Sequence, residues 1–442
     1  MNLLETYHIP TPPTLKIKKA WIMTFFGVVI LRLLLDLAYR DVVSVVFGYY
    51  NFKYEPSIIS LIYSWVFLLA LCPLIVKTIH RDTLSSNILS ILILISLLPT
   101  SSLISFNSSY SLTYIIFIFV YWFLLLVFNL RVPTIFLTRK PIVKSYIPLA
   151  VISVILCGAV VYASWRFTGF RFHFGLIDVY DIRSDAREYS GPVLLGYLVT
   201  AADNILPVLL IFFLVEKRWT LAILMVVIIL LNFGISAVKM IMFYLAFTLL
   251  CYVFIRSARV FRKSVWFLSF FVSVCILEFE IFRTAILTNF SLFRIFFIPS
   301  KLHSLYFEYF STRELDFFRQ SALRWLFNSP YEENIQFLIG EYDIGDFTAR
   351  ANNGLFTDAY LNLGFIGVIL YPLFLTLLLK ILEGSAKGLD VRILFVVSTT
   401  TTFVLLGVSI TTALLTSGVF LLILIMYLFP RRAMLDKNSI VL

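Results

Sequence analysis

Long hydrophobic segments recur along this chain, and they restrict it to a fold that lies within a lipid bilayer. Of its 442 residues, 60% are hydrophobic and only 14% are charged. A helix needs roughly 20 apolar residues to cross the hydrocarbon core of a membrane. The pattern predicts an all-α fold, a single integral membrane domain over residues 1–442 built as a polytopic bundle of about twelve transmembrane helices. The predicted spans are 20–38, 57–76, 87–104, 113–130, 146–164, 192–215, 219–234, 238–255, 265–285, 364–382, 393–411 and 413–429.

The basic residues outside the spans lie mainly on alternate connections. If the N-terminus is inside, the inner connections 131–145 and 256–264 each carry four basic residues and no acidic residue. The two long outer loops differ: about 165–190 has four basic and four acidic residues, and about 286–363 has six basic and nine acidic residues. Because Lys and Arg accumulate on cytoplasmic loops, both termini are expected in the cytoplasm and both long loops outside. The net charge of +11 follows from this topology and is not a nucleic-acid footprint.

Neither a metal site nor a cofactor is predicted. The four cysteines all lie inside predicted spans, which excludes a disulfide or a cysteine metal cluster in the loops. The first 19 residues are polar and contain three prolines, so the first span is expected to serve as an uncleaved signal. The cysteines are Cys72, Cys157, Cys251 and Cys275.

The first outer loop and a nearby turn offer cations for an anionic ligand. Arg183 and Arg187 alternate with acidic residues, and the ordinary explanation for such a pattern is local ion pairing. The functional alternative is that one or two arginines bind a phosphate group, which suits the planar guanidinium. Lys239 follows the outer turn between the seventh and eighth spans, where it either extends to the lipid headgroups or binds such an anion.

The second outer loop carries further polar candidates. Arg294 is flanked by aromatic residues, and Glu308 stands in an aromatic run that is suited to stacking on sugar rings. Asn352 and Asn353, followed by Asp358, lead directly into the tenth span. Small and amide-bearing residues at such a junction suit hydrogen bonding to a hydroxyl-rich ligand.

Residues 313–328 of the same loop show helical periodicity. Ser311 and Glu314 have the spacing of a capping box, apolar residues recur at helical intervals, and Pro330 ends the stretch. The pattern predicts an amphipathic helix that lies either on the outer membrane surface or against the helix bundle.

Several other polar residues are expected to have structural roles. Arg32 and Asp36 are one helical turn apart and are expected to pair with each other. His303 stands alone, and a lone histidine is more often structural than catalytic. Asp203 lies inside the sixth span and needs a partner that the sequence does not name.

Three groups of residues carry a resemblance to a known family. They are the charged turn with Lys239; the run from Arg294 and Pro299 to Tyr306-Phe-Glu308-Tyr-Phe310-Ser311; and the run from Ser321 and Gly340 through Asn352-Asn353-Gly354 and Asp358-Ala-Tyr360 to Asn362-Leu-Gly364-Phe-Ile-Gly367. With the twelve-span layout and long outer loops after spans five and nine, the chain resembles the bacterial oligosaccharide repeat-unit polymerases, the O-antigen polymerase (Wzy) family.

The resemblance implies a GT-C-like multi-pass protein of the bacterial inner membrane with both long loops in the periplasm. It implies a glycosyltransferase that moves a growing glycan from polyprenyl diphosphate to the non-reducing sugar of a new lipid-linked repeat unit, for O-antigen or another surface polysaccharide. Glu308 and Asp358 would be the catalytic carboxylates. The residues that would bind diphosphate or glycan are Arg183, Arg187, Lys239, Arg294, Asn352 and Asn353.

The resemblance also implies the partners of the protein. They are a polyprenyl-diphosphate-linked oligosaccharide and membrane lipid, with a chain-length regulator and a flippase as candidates and no nucleic acid. Diphosphate is already a good leaving group, so cations such as Arg187, Lys239 and Arg294 would hold its developing charge without a metal.

Three alternatives remain open. The related O-antigen ligases have a His where this chain has Asn352-Asn353, which favours the polymerase. A lipid-linked oligosaccharide flippase or another transporter is expected to carry polar residues near the bilayer midplane and internal repeats, whereas this chain keeps most of its polar residues in outer loops. A membrane assembly protein without a reaction is the third. Lys239 also departs from the commoner Arg of the family and lacks its bidentate fork.

Overall fold

The computed structural model describes residues 13–137, 147–172, 186, 189, 191–257 and 259–431. Within these ranges the chain is almost entirely helical, and extended pairing is limited to one bridge between Glu55 and Asn107. The all-α prediction is therefore confirmed. The helices are α1 (Lys19–Val46), α2 (Ile58–Ile79), α3 (Leu84–Phe106), α4 (Leu112–Arg131), α5 (Ile147–Thr168), α6 (Val193–Val215), α7 (Trp219–Ser236), α8 (Lys239–Phe254), α9 (Val260–Phe282), α10 (Ile298–Ser311), α11 (Ile335–Ile344), α12 (Phe356–Ala386), α13 (Val391–Gly407) and α14 (Ile410–Leu428).

Ten of the described helices are long and apolar enough to cross a membrane, namely all of those above except α8, α10, α11 and α13. Helices α8 and α13 are apolar but shorter, with 16 and 17 residues. They coincide with the two remaining predicted spans, 238–255 and 393–411. The multi-pass membrane character is confirmed, whereas the total of twelve spans stays a prediction.

Helices α3 and α6 form the centre of the bundle. In their most apolar stretches, 94% of the α3 residues and 78% of the α6 residues are buried. Helix α3 packs against α2, α12 and α13, and α6 packs against α5, α7, α8 and α13. Because α13 contacts both central helices, it joins the half of the bundle around α3 to the half around α6. Helix α3 is rich in serine, and small residues of this kind let membrane helices approach closely.

A buried ion pair lies where α1 and α3 meet. Arg32 is fully buried and pairs with Asp36 one turn later, as predicted. Its Nε donates to Ser101 Oγ at 2.8 Å and its Nη2 donates to Ser105 Oγ at 2.7 Å, while Ser102 Oγ donates to Asp36 Oδ1 at 2.5 Å. A charge inside the bundle is tolerated only with such partners, so this cluster sets the register of α1 against α3.

The chain between α9 and α12 covers one end of the bundle, and we call residues 283–355 the cap. Within the cap, α10 packs against α3 and α12. Lys301 Nζ donates to the carbonyl of Tyr50 at 2.5 Å, and Asn51 Nδ2 donates to the carbonyl of Asp343 at 2.5 Å. The cap is therefore anchored both to the bundle and to the loop that follows α1.

The prediction of an amphipathic helix over 313–328 is wrong. This stretch consists of turns, and Phe317 and Phe318 have positive φ values of 51° and 61°. The buried carboxylate of Asp316 accepts a hydrogen bond from the backbone amide of Gln320 at 2.9 Å. An aspartate that binds nearby backbone in this way offers the chain an alternative to helical hydrogen bonding, and hydrophobic periodicity does not reveal it.

Helix α12 begins at Phe356, whereas the predicted span begins at residue 364. The helix consists of two segments, and the prediction covered only the second. Gly364 lies between them with a φ of 56°, a value that favours glycine. The first segment contains residues that the sequence analysis assigned to the second outer loop. Asp358 and Asn362 consequently lie on a helix at the base of the cap.

Replacing Asp36 with alanine is expected to destabilise the protein by about 3–5 kcal/mol, because the Arg32 guanidinium is left buried and unpaired. Equilibrium unfolding of the variant and the wild type in detergent micelles measures this difference. Asp41→Ala is the matched control, since Asp41 pairs with Arg40 at 2.6 Å near the surface. It should cost at most about 1 kcal/mol. Equal losses in the two variants would contradict a central role for the buried pair.

Candidate functional site

A cavity of about 150 Å³ lies within the cap. It is lined by α10, by α11, by the segment that follows α11 and by the loop after α1. Most of the wall is apolar, and four polar side chains interrupt it. These polar side chains are Lys301, Asp343, Arg350 and Asn352.

An ion pair forms one wall of the cavity. Lys301 Nζ lies 2.5 Å from Asp343 Oδ1 and 5.1 Å from the centre of the Phe52 ring. Both charged side chains are largely buried. Burial lowers the pKa of Lys301, and the adjacent Asp343 carboxylate opposes that shift. The pair therefore contributes shape and two neutralised charges to the wall, and its main effect is to hold α10 and α11 together.

Arg350 supplies a charge at the cavity that has no acidic partner among the described residues. Its Nε donates to Gln336 Oε1, which is a neutral acceptor. Gln336 also donates through Nε2 to Asn353 Oδ1 at 2.7 Å, so α11 holds the segment on which Arg350, Asn352 and Asn353 stand. Asn352 is exposed at the cavity. Since the charges of Lys301 and Asp343 cancel, Arg350 leaves the cavity with one positive charge in excess.

Glu308 is an accessible carboxylate on the same cap. It is exposed on α10, and its Oε1 accepts a hydrogen bond from Tyr342 Oη at 2.8 Å. Burial, together with this bond to a carboxylate, raises the pKa of Tyr342. Arg313 lies nearby, with its guanidinium carbon 4.0 Å from the Tyr309 ring centre and 6.0 Å from the Tyr342 ring centre. This arrangement provides a proton acceptor beside aromatic surfaces and a cation.

Asp358 is placed differently from Glu308. Its side chain is fully buried at the start of α12, where it accepts hydrogen bonds from Asn362 Nδ2 at 2.8 Å and from the backbone amide of Ile410 at 2.7 Å. The hydroxyl of Tyr371 donates to the same carboxylate. These contacts join α12 to α14. The catalytic role of Asp358 stays a prediction.

The predicted cations occupy separate parts of the protein. Arg294 is exposed on a π-helical segment, Asn289–Phe297, that leads into α10. Lys239 is half-buried at the first position of α8, a helix that packs against α6, α7 and α13. Arg183 and Arg187 lie outside the described residues. The cap thus carries Arg294, Glu308, Asn352 and Asn353, whereas Lys239 begins a helix in the other half of the bundle.

The sequence analysis missed Lys301, Asp343 and Arg350 as site residues. Lys301 and Asp343 are 42 positions apart, and no local pattern connects them. Arg350 stands two residues before Asn352, and that proximity was the available signal. Within the described residues, no group of three His, Cys, Asp or Glu side chains could hold a metal ion.

No family model matches this chain, and no curated protein or solved structure is significantly similar to it. The resemblance to the oligosaccharide polymerases therefore rests on three groups of residues: the turn with Lys239, the run from Arg294 to Ser311 and the run from Ser321 to Gly367. The chemistry of the cap is the other source of a functional hypothesis.

His303, on the inner side of α10, is expected to remain neutral from about pH 7.5 to about pH 5. It is buried, its Nδ1 lies 3.3 Å from Thr100 Oγ1, and burial lowers its pKa to about 3. Because the unfolded chain binds this proton near pH 6.5, the contribution of His303 to stability is complete above that pH and is lost as the pH falls toward about 3.

Carbon-13 NMR of histidine-labelled protein measures this protonation directly, and loss of the signal in His303→Gln assigns it. A constant chemical shift over the range is the expected result. Titration near the ordinary histidine pKa would show that His303 is reached by water and is not a buried structural residue.

Proposed function

We propose that this protein is a glycosyltransferase that polymerises lipid-linked oligosaccharide repeat units. The observation that carries the proposal is the combination, on one cap, of the accessible carboxylate of Glu308 with a cavity that has excess positive charge and an exposed amide, Asn352. In a transfer from a glycosyl diphosphate to a sugar hydroxyl, a carboxylate can accept the hydroxyl proton, a cation can stabilise the departing diphosphate, and an amide can hydrogen-bond sugar hydroxyls. The family resemblance identifies the same segment.

In the proposed reaction, the anomeric carbon of the growing glycan loses its bond to the diphosphate oxygen. The same carbon forms a new bond to a hydroxyl oxygen of the acceptor repeat unit, and the proton of that hydroxyl passes to Glu308. Arg294, with Arg350 as an additional candidate, holds the charge that develops on the departing diphosphate. Asn352 and Tyr342, the exposed tyrosine that contacts Glu308, orient the sugars.

The cap covers one end of the helix bundle, so lipid-linked substrates reach it from one side of the membrane. The polyprenyl tails of donor and acceptor lie along the lipid-facing helices, which places the diphosphate groups at the level of the cap. We propose that the cap is periplasmic, that both termini are cytoplasmic, and that the membrane is the bacterial inner membrane. Candidate partners are a flippase that delivers the repeat unit and a regulator of chain length.

Purified protein in detergent, supplied with a lipid-linked repeat unit, tests the proposal. The wild type is expected to give a ladder of polymer on a gel. Glu308→Gln should lower the rate about a hundredfold, because it removes the proton acceptor while conserving shape. Arg294→Ala should cause a loss of similar size, since a preorganised charge partner of the leaving group is removed.

Matched controls are Glu332→Gln and Arg324→Ala, which change exposed residues of the same cap outside the proposed site. Both controls should retain the ladder. Full activity in Glu308→Gln and Arg294→Ala would disprove the assigned roles. Transfer of the glycan onto lipid A core would instead identify a ligase, and movement of the lipid-linked unit across vesicles without transfer would identify a transporter.

A further inference from the structure

The end of the bundle opposite the cap contains a second cavity, with a volume of about 550 Å³. It lies between the last turn of α8, with the residues that follow it, and the first turn of α13. The basic connection 256–264 begins at this cavity. Nothing in the proposed polymerase chemistry uses it.

One wall of this cavity is a positioned guanidinium. Arg392 Nε and Nη2 donate to the two carboxylate oxygens of Asp390, each at 2.9 Å. The guanidinium carbon lies 5.4 Å from the centre of the Tyr252 ring. The two hydrogen bonds to Asp390 use only some of the five N–H groups of the Arg392 guanidinium. Arg392 is therefore held in one orientation and retains donors for a ligand.

A second guanidinium stands at the same cavity without a compensating acid. Arg256 is exposed, and it makes no hydrogen bond or ion pair within the part of the chain that the structure describes. Two arginines and one aspartate, Asp390, give the cavity one positive charge in excess. Guanidinium groups bind phosphate through paired, charge-assisted hydrogen bonds, so this site favours a phosphate group.

The surroundings of the cavity identify a lipid as the source of that phosphate. Val253 and Phe254, in the last turn of α8, are 55% and 71% exposed. Trp219 is 52% exposed, and its ring packs edge-on to that of Tyr252 at 6.0 Å. Apolar residues on the outside of a membrane bundle face lipid, and Trp and Tyr collect at the membrane–water interface. The cavity therefore opens at the level of the headgroups.

We propose that this cavity binds the phosphate of an anionic phospholipid. Arg256 and Arg392 hold the phosphodiester oxygens, and the acyl chains lie along Val253 and Phe254. Basic pockets between membrane helices are suited to such headgroups. A zwitterionic lipid offers the same phosphate but adds a cationic group beside the arginines, which disfavours it. The site lies away from the cap and does not depend on the proposed polymerase activity.

Native mass spectrometry of the full-length protein in neutral detergent, titrated with phosphatidylglycerol or phosphatidylcholine, tests this site. The wild type should bind phosphatidylglycerol more tightly than phosphatidylcholine. Arg256→Gln should weaken phosphatidylglycerol binding about tenfold, the size expected when one charge-assisted hydrogen bond is lost at a partly exposed site. Arg131→Gln is the matched control, because Arg131 is exposed at the same end of the bundle and does not line the cavity.

Arg131→Gln should bind both lipids as the wild type does. Equal binding of the two lipids by the wild type, or equal effects of the two substitutions, would overturn the proposal. Inorganic phosphate distinguishes the source of the phosphate group: it should not displace phosphatidylglycerol at an equal concentration, since it lacks the acyl contacts. Displacement at that concentration would assign the cavity to free phosphate and overturn the lipid assignment. Unchanged thermal unfolding of Arg256→Gln confirms that the variant is folded.

Discussion

Hydrocarbon offers no partner to a backbone amide or carbonyl, and the rest of the structure follows from this constraint. Inside the bundle the backbone is helical, and the ionisable side chains Arg32, Asp36 and Asp203 each have a polar partner. Arg32 and Asp36 share the serines of α3, and Asp203 accepts a hydrogen bond from Asn232 at 2.6 Å. Irregular backbone is concentrated beyond the helix ends. The cap contains the longest non-helical stretch of the described chain, between α10 and α11, and it carries exposed polar side chains that can bind a ligand.

Much of the fold could be predicted because its main determinants are local. A long apolar run specifies a helix whatever its neighbours are, and the spacing of Arg32 and Asp36 indicates their pairing before any packing is known. The stretch 313–328 has equally clear periodicity, yet the carboxylate of Asp316 binds nearby backbone and the chain turns. Periodicity reports which residues are apolar. It does not report which side chain will compete for the backbone.

The candidate site was less predictable, because its contacts connect distant parts of the chain. Glu308 was recognised from its aromatic neighbours, but its partner Tyr342 stands 34 residues later. The Lys301–Asp343 pair and the partner of Asp203 depend on which helices become neighbours, and a single sequence does not contain that information. Asp358 illustrates the opposite difficulty. An acidic residue in a polar run resembles a catalytic group, whereas in the fold its oxygens accept three hydrogen bonds in the interior.

The contacts of Asp358 also determine how modular this architecture is. The carboxylate stands before the kink at Gly364, accepts a hydrogen bond from Tyr371 beyond that kink, and reaches the first residue of α14, Ile410. The base of the cap is thereby joined to two membrane helices through one side chain. The cap is consequently not a unit that can be exchanged between related bundles by itself, because a transplanted cap would need α12 and the beginning of α14 to come with it.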